Sequence, residues 1–129
     1  MNKIVSYRDL EIYQQAVRLA IEIHKMSMKL PKFELFEEGS QIRRSSKAVA
    51  SAIVEGFGRR RYKKELVRFT VYAQTECDET KLHLEFLYRT GSLKDKDEYD
   101  HFYEEYSKLG KKIYRYLESV IQKHVEKRE

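Results

Sequence analysis

The sequence is poor in the residues that staple or break chains: among 129 residues there are one cysteine, one proline, five glycines and no tryptophan. A lone Cys77 cannot close an internal disulfide, so the chain must hold itself by its core, and such cysteine usage fits the cytoplasm. So few prolines and glycines argue against collagen-like, disordered and turn-rich β architectures. No apolar run approaches the ~20 residues that a bilayer span needs, and the opening Met1 to Ser6 lacks the apolar segment of a secretory leader. Charged residues, at 36%, and apolar ones, at 41%, dominate instead. That balance suits amphipathic helices, and the length suits one domain over residues 1–129 that buries roughly two-thirds of its unfolded surface.

Helical periodicity recurs four times. Ser6 and Asp9 form a capping box that predicts the start of a first helix. Ile12, Ala16, Leu19, Ile23, Met26 and Leu30 make one apolar row along it, and Leu10, Tyr13, Val17, Ala20, Ile21 and Met28 make a second. Pro31 ends the helix just before it and opens a short crossing to Phe36. A second helix runs from Leu35 or Gly39 to Glu55, with Ile42, Ser46, Val49 and Ile53 as its core row. Ser45, Ala48, Ser51 and Ala52 add a stripe of small residues that permits close packing. Gly56 and Gly58 interrupt the pattern and predict a turn over Phe57 to Arg61. A third helix spans Tyr62 to Tyr88 and stops at Gly91. Asp95, Asp97 and Glu98 open a fourth, whose Tyr99, Phe102, Tyr106, Leu109, Ile113, Tyr116 and Val120 keep a three-four spacing. Gly110 inside it marks a close helix contact, and the tail after His124 is expected to fray. Short connections between four long helices predict an all-α, antiparallel up-and-down four-helix bundle.

Positive charge is concentrated in one place. Residues 43–64 hold Arg43, Arg44, Lys47, Arg59, Arg60, Arg61, Lys63 and Lys64 against Glu55 alone, a charge of +7 in a chain whose total is +5. Arg59 to Lys64 crowd the start of the third helix, where the backbone dipole disfavours cations by up to about 1 kcal/mol each. That arrangement invites an anion: phosphate at the helix start, guanidinium forks on its oxygens, and Phe57 and Tyr62 available for stacking describe a site for RNA or single-stranded nucleic acid. The same residues also fit a structural turn, with Arg59 to Arg61 neutralising the end of the second helix and Arg43 pairing with Glu55 or an acid across the bundle.

Other constellations are incomplete. The tyrosines of the fourth helix sit at core spacing and read as packing. Cys77 lies among acids that raise a thiol pKa. Glu79 and His83 are one turn apart, yet no Glu-x-x-His pair of the di-iron type exists. Arg18 and His24 have the Arg-x(4 to 6)-His spacing of helical HEPN-type ribonucleases, but six residues leave the two side chains about 120° apart. His101 and His124 have no partner nameable from sequence. No catalytic residue, metal site, cofactor or small-molecule substrate is expected.

At Gln41-Ile42-Arg43-Arg44 and Ile53-Val54-Glu55-Gly56-Phe57-Gly58-Arg59 the sequence resembles the bacterial four-helix-bundle family named for the protein encoded in 23S rRNA intervening sequences, also called the S23 ribosomal protein family. Asp9-Leu10 with Tyr13 and Ala16, then Pro31, then Glu65 to Phe69 with Ala73, Glu79 and Leu84, extend the likeness over nearly the whole chain. Ala52 stands where members commonly have Asn, and Thr75-Glu76 where they have a Gly-Ser pair. The resemblance implies an antiparallel bundle assembled as a cyclic homopentamer, similar in fold to accessory proteins of diversity-generating retroelements. The two apolar rows of the first helix independently favour self-association. The expectation is a non-enzymatic, oligomeric, cytoplasmic module that associates with RNA or single-stranded nucleic acid through Arg43, Arg44, Lys47, Arg59, Arg60, Arg61, Tyr62, Lys63 and Lys64, away from membranes. The alternative is an assembly scaffold that binds no nucleic acid.

Overall fold

A computed structural model describes residues 3–128, with side chains through Lys123. Four helices, α1 (Glu11–Ser27), α2 (Glu38–Gly58), α3 (Lys63–Arg89) and α4 (Lys96–Arg128), form the bundle. Each packs on its neighbours in sequence; α2 on α3 is the most extensive contact, and α1 on α4 the least. Among the described residues there is no strand, and no helix is long and apolar enough to cross a membrane. The α4 backbone stays helical past His124, and the side chains on which fraying there would bear lie outside the described residues.

The capping box forms, but one turn early. Ser6 Oγ accepts the Arg8 N–H at 3.1 Å, and Asp9 Oδ2 accepts those of Ser6 and Val5 at 2.9 Å each. These backbone donors hold the Asp9 carboxyl below its usual range. The box closes only a 3-10 turn, Tyr7–Asp9, because Leu10 turns extended to bury its side chain; α1 begins at Glu11. At its other end α1 stops at Ser27, short of the expected limit before Pro31, where the hydrogen bonds tighten to Lys29 N–H on Met26 and Leu30 N–H on Ser27. Asp95 Oδ1 accepts from Asp97 and Glu98 N–H groups and starts α4. Gly91, at φ 85°, turns the chain out of α3, and Leu93 N–H folds back onto the Leu87 carbonyl at 2.9 Å.

Helix α2 corrects the sequence reading. It continues through Gly56 and Gly58, and the turn is displaced to Arg59–Tyr62. Gly56 is a packing glycine: a Cβ there would stand 3.2 Å from the Phe69 Cβ of α3. With Ser45 and Ala52, buried on the same helix, it brings the two backbones close. Gly110 is less constrained than expected, since a methyl would meet Cys77 Sγ at 3.7 Å, ordinary contact.

The core is aliphatic, built on Leu19, Ile23, Ile42, Val49, Leu84, Leu87, Leu109 and Ile113. Two polar features cross it. The Ser45 and Thr80 hydroxyls hydrogen-bond to one another at 2.8 Å between α2 and α3. Cys77 Sγ donates to the Tyr106 carbonyl at 3.2 Å, and burial above all, with Asp78 adding to it, pushes the thiol up to about 12. Such a thiol stays protonated at neutral pH. The Tyr106 hydroxyl is also fully buried, which pushes its pKa up; the nearby Ser46 hydroxyl offsets this in part, but neither it nor any other described group makes a hydrogen bond of good geometry to the phenol. Tyr106→Phe removes that unpaired hydroxyl and keeps the ring, so we expect stability to be unchanged or raised by about 1 kcal/mol in denaturant titration. A loss of more than about 1 kcal/mol would show that the hydroxyl is satisfied, by Ser46 or by a bound water.

Candidate nucleic-acid interface

The nine residues expected at the site are not one surface. Arg43 projects back toward the α1–α2 connection, where its guanidinium donates to Ser27 Oγ at 3.0 Å and the Leu35 carbonyl at 2.6 Å. Its partner is neither Glu55 nor an acid: it ties α2 to the preceding loop, and two of its five N–H donors are committed there. Arg44 reaches across to α3, pairing with Glu79 at 3.1 Å and Glu76 at 3.5 Å. Desolvation and the neighbouring Glu79 raise the Glu76 pKa despite that guanidinium. Lys47 lies on another face again, beside His24 and Lys25 in the groove between α1 and α2.

The turn and the first residues of α3 gather the remaining six. Arg60 lies over the Phe57 ring, 4.1 Å from its centroid, and donates to the Phe57 carbonyl at 3.0 Å. Its charge thus neutralises the end of α2, the structural role weighed for this turn. Arg59 sits 4.5 Å above the Phe69 ring and pairs with Glu65 at 3.1 Å. Phe57 itself is only 7% exposed, so it is core and cannot stack on a base. It is buried because α2 runs one turn further than expected and turns that face inward.

Three cations are left over. Arg61, Lys63 and Lys64 make no ion pair among the described residues, whereas Glu65 beside them is taken up by Arg59 and Arg68. Next to them Tyr62 is 64% exposed, and with Gly58, Arg60 and Arg61 it lines an open hollow. Tyr62 is also the residue that starts α3, with no side chain capping the helix. An exposed ring, free cations and an uncapped helix start are the elements that hold a phosphate and an adjacent base.

The weaker constellations are pulled apart by other partners. His83 Nδ1 lies 2.6 Å from Glu38 Oε2 while Glu79 is held by Arg44, so the two do not converge. Arg18 pairs with Glu22 at 3.1 Å, away from His24. Half-buried Tyr99 stacks on Tyr88 at 4.4 Å between ring centroids, in the seam of α3 and α4.

With this geometry in hand, the chain can be set against known proteins. The family model described as 23S rRNA-intervening sequence protein matches residues 8–115. The chain belongs to that family. Among solved structures, the bundle is similar to a protein of unknown function from the S23 ribosomal protein family of Bacteroides thetaiotaomicron, with a TM-score of 0.76. The two are 19% identical over 83% of this chain and 95% of the other, a likeness of fold. No curated protein matches. Both motifs that carried the resemblance have structural work in this family member: Arg43 clamps a loop, and Gly56 admits α3.

Proposed function

We propose that this family member is a non-enzymatic, homo-oligomeric module that binds single-stranded RNA through the turn between α2 and α3. The observation that carries the proposal is the trio Arg61, Lys63 and Lys64, unpaired around the exposed ring of Tyr62. Arg59 and Arg60, pre-positioned over Phe69 and Phe57, flank the trio and add to its positive field. The family's name, with its reference to rRNA intervening sequences, agrees with an RNA partner. Self-association is supported by large apolar side chains left uncovered, including Ile21, Phe33, Phe36, Leu82 and Phe86. The resemblance makes the assembly a pentamer, and a ring would repeat the basic turn around its axis. It would act in the cytoplasm, with neither cofactor nor metal.

Purified protein is expected to bind unstructured RNA weakly and with little sequence preference, measured by fluorescence anisotropy across a salt series. The log-log slope should be roughly −0.7 per phosphate engaged. If no binding is detected at low salt, the turn is structural and the protein is an assembly scaffold.

A further inference from the structure

Two exposed surfaces of the bundle match one another. The first is the groove between α1 and α2, floored by Val17, Ala20, Ile21 and Ala50 and edged by Lys25 and Lys47. Neither lysine makes an ion pair among the described residues. The second is the outward stripe of α3, where Val71, Leu82 and Phe86 are exposed at helical spacing and Asp78, also exposed and without an ion-pair partner, lies between them. Both surfaces are mainly apolar, each carries charge outside any ion pair, and these charges have opposite sign.

We infer that the groove of one copy receives the α3 stripe of the next, so that this chain assembles head to tail. The inference rests on the homo-oligomer proposed above and names the faces that make it. The groove runs from Val17 to Lys25 along α1, eight helical steps or about 12 Å, and Asp78 to Phe86 along α3 spans the same eight steps. Asp78 falls near the middle of its stripe. Lys25 is one turn from Ile21 near the middle of the groove, with Lys47 across from it, so both ammonium groups can reach that carboxylate. Sign decides the pairing. A groove docked on a second groove sets lysines against lysines, and a stripe docked on a stripe sets Asp78 against itself. Only groove on stripe joins opposite charges over a continuous apolar contact. Because the two faces are different patches of one molecule, each copy keeps a free groove and a free stripe until the chain of contacts closes into a ring.

Two variants test this in the full chain. Ile21→Arg disables the groove; Leu82→Arg with Phe86→Arg disables the stripe. All three positions are exposed, and circular dichroism checks that the helices persist. Each variant alone is expected to raise the dissociation constant for assembly about 30-fold or more and to run as a monomer in light scattering. Mixed in equal amounts, they retain one intact groove and one intact stripe and should form a dimer that grows no further. Lys47→Glu should weaken assembly about tenfold, and adding Asp78→Lys in the same chain should recover it. If both variants assemble like the parent, or if their mixture stays monomeric, this placement of the interface is overturned while the oligomer stands. If the parent itself is a single chain at micromolar concentration, the oligomeric reading falls with it.

Discussion

Gly39→Ala is expected to destabilise the bundle by about 3 kcal/mol, the scale of forced overpacking at a site that cannot relax. At this chain length that lowers the midpoint of thermal unfolding by roughly 10 °C. Gly39 lies in the first turn of α2, and a Cβ there would run into the backbone carbonyl of Glu34. The loop cannot retreat cheaply. Glu34 N–H donates to the Pro31 carbonyl at 2.9 Å, and its buried carboxylate accepts the Glu38 N–H at 3.0 Å, capping α2. Arg43 meanwhile holds the Leu35 carbonyl. Moving Glu34 away therefore loosens a helix cap and a charge-assisted hydrogen bond together. Gly58→Ala is the control: it ends the same helix with nothing within 4 Å of the added methyl. There the substitution should be neutral or stabilising by up to about 1 kcal/mol. Scans must be run at equal chain concentration, since self-association shifts the midpoint. A Gly39→Ala midpoint within about 1 °C of the parent would show that the loop is free to move.

This loop also marks the limit of what was legible in the sequence. The helices announced themselves because a buried face imposes a local period, and Ile12 to Met26, Ile42 to Ile53 and Phe102 to Ile113 follow it. The second apolar row of the first helix was legible too, and it resolves into buried Leu10 and Ala20 and exposed Ile21 and Met28. What failed were features set by partners distant in sequence. Gly56 read as a break, because sequence alone cannot show that Phe69 approaches it from another helix. Arg43 read as part of a charge patch because its spacing from Arg44 and Lys47 is local, whereas its acceptors, Ser27 and Leu35, lie 16 and 8 residues back, on either side of Pro31. The pairing of Lys25 with Lys47 across one groove was hidden for the same reason. A signal for the α2 cap did exist: the cluster Glu34, Glu37 and Glu38 before Gly39 is where a helix start seeks acceptors, and Glu34 supplies one.

Substituting Arg61, Lys63 and Lys64 together by Ala is expected to weaken RNA binding without weakening the fold, and Arg43→Ala to do the reverse. The three side chains of the first set make no ion pair or hydrogen bond among the described residues, so removing them leaves no buried group unpaired. If each neutralises one phosphate of a single strand, their loss reduces the magnitude of the log-log salt slope by about 2. Between about 50 and 200 mM salt, the parent then loses about 20-fold more affinity than the variant does. Tyr62→Ala should cost about 1 to 3 kcal/mol of binding if a base stacks on the exposed ring, without changing the slope, because stacking releases no counterions. Arg43→Ala instead strips the donors from the Leu35 carbonyl and Ser27 Oγ, which should lower stability by about 2 kcal/mol and leave the slope intact. Arg59 and Arg60 are unsuited to the comparison: each lies over a phenyl ring, so truncating either changes packing as well as charge. The pairing of outcomes is what discriminates. A slope that flattens with Arg43→Ala and not with the triple variant would move the nucleic-acid surface from the turn to the opposite end of α2, where Arg43 and the exposed Phe33 and Phe36 lie.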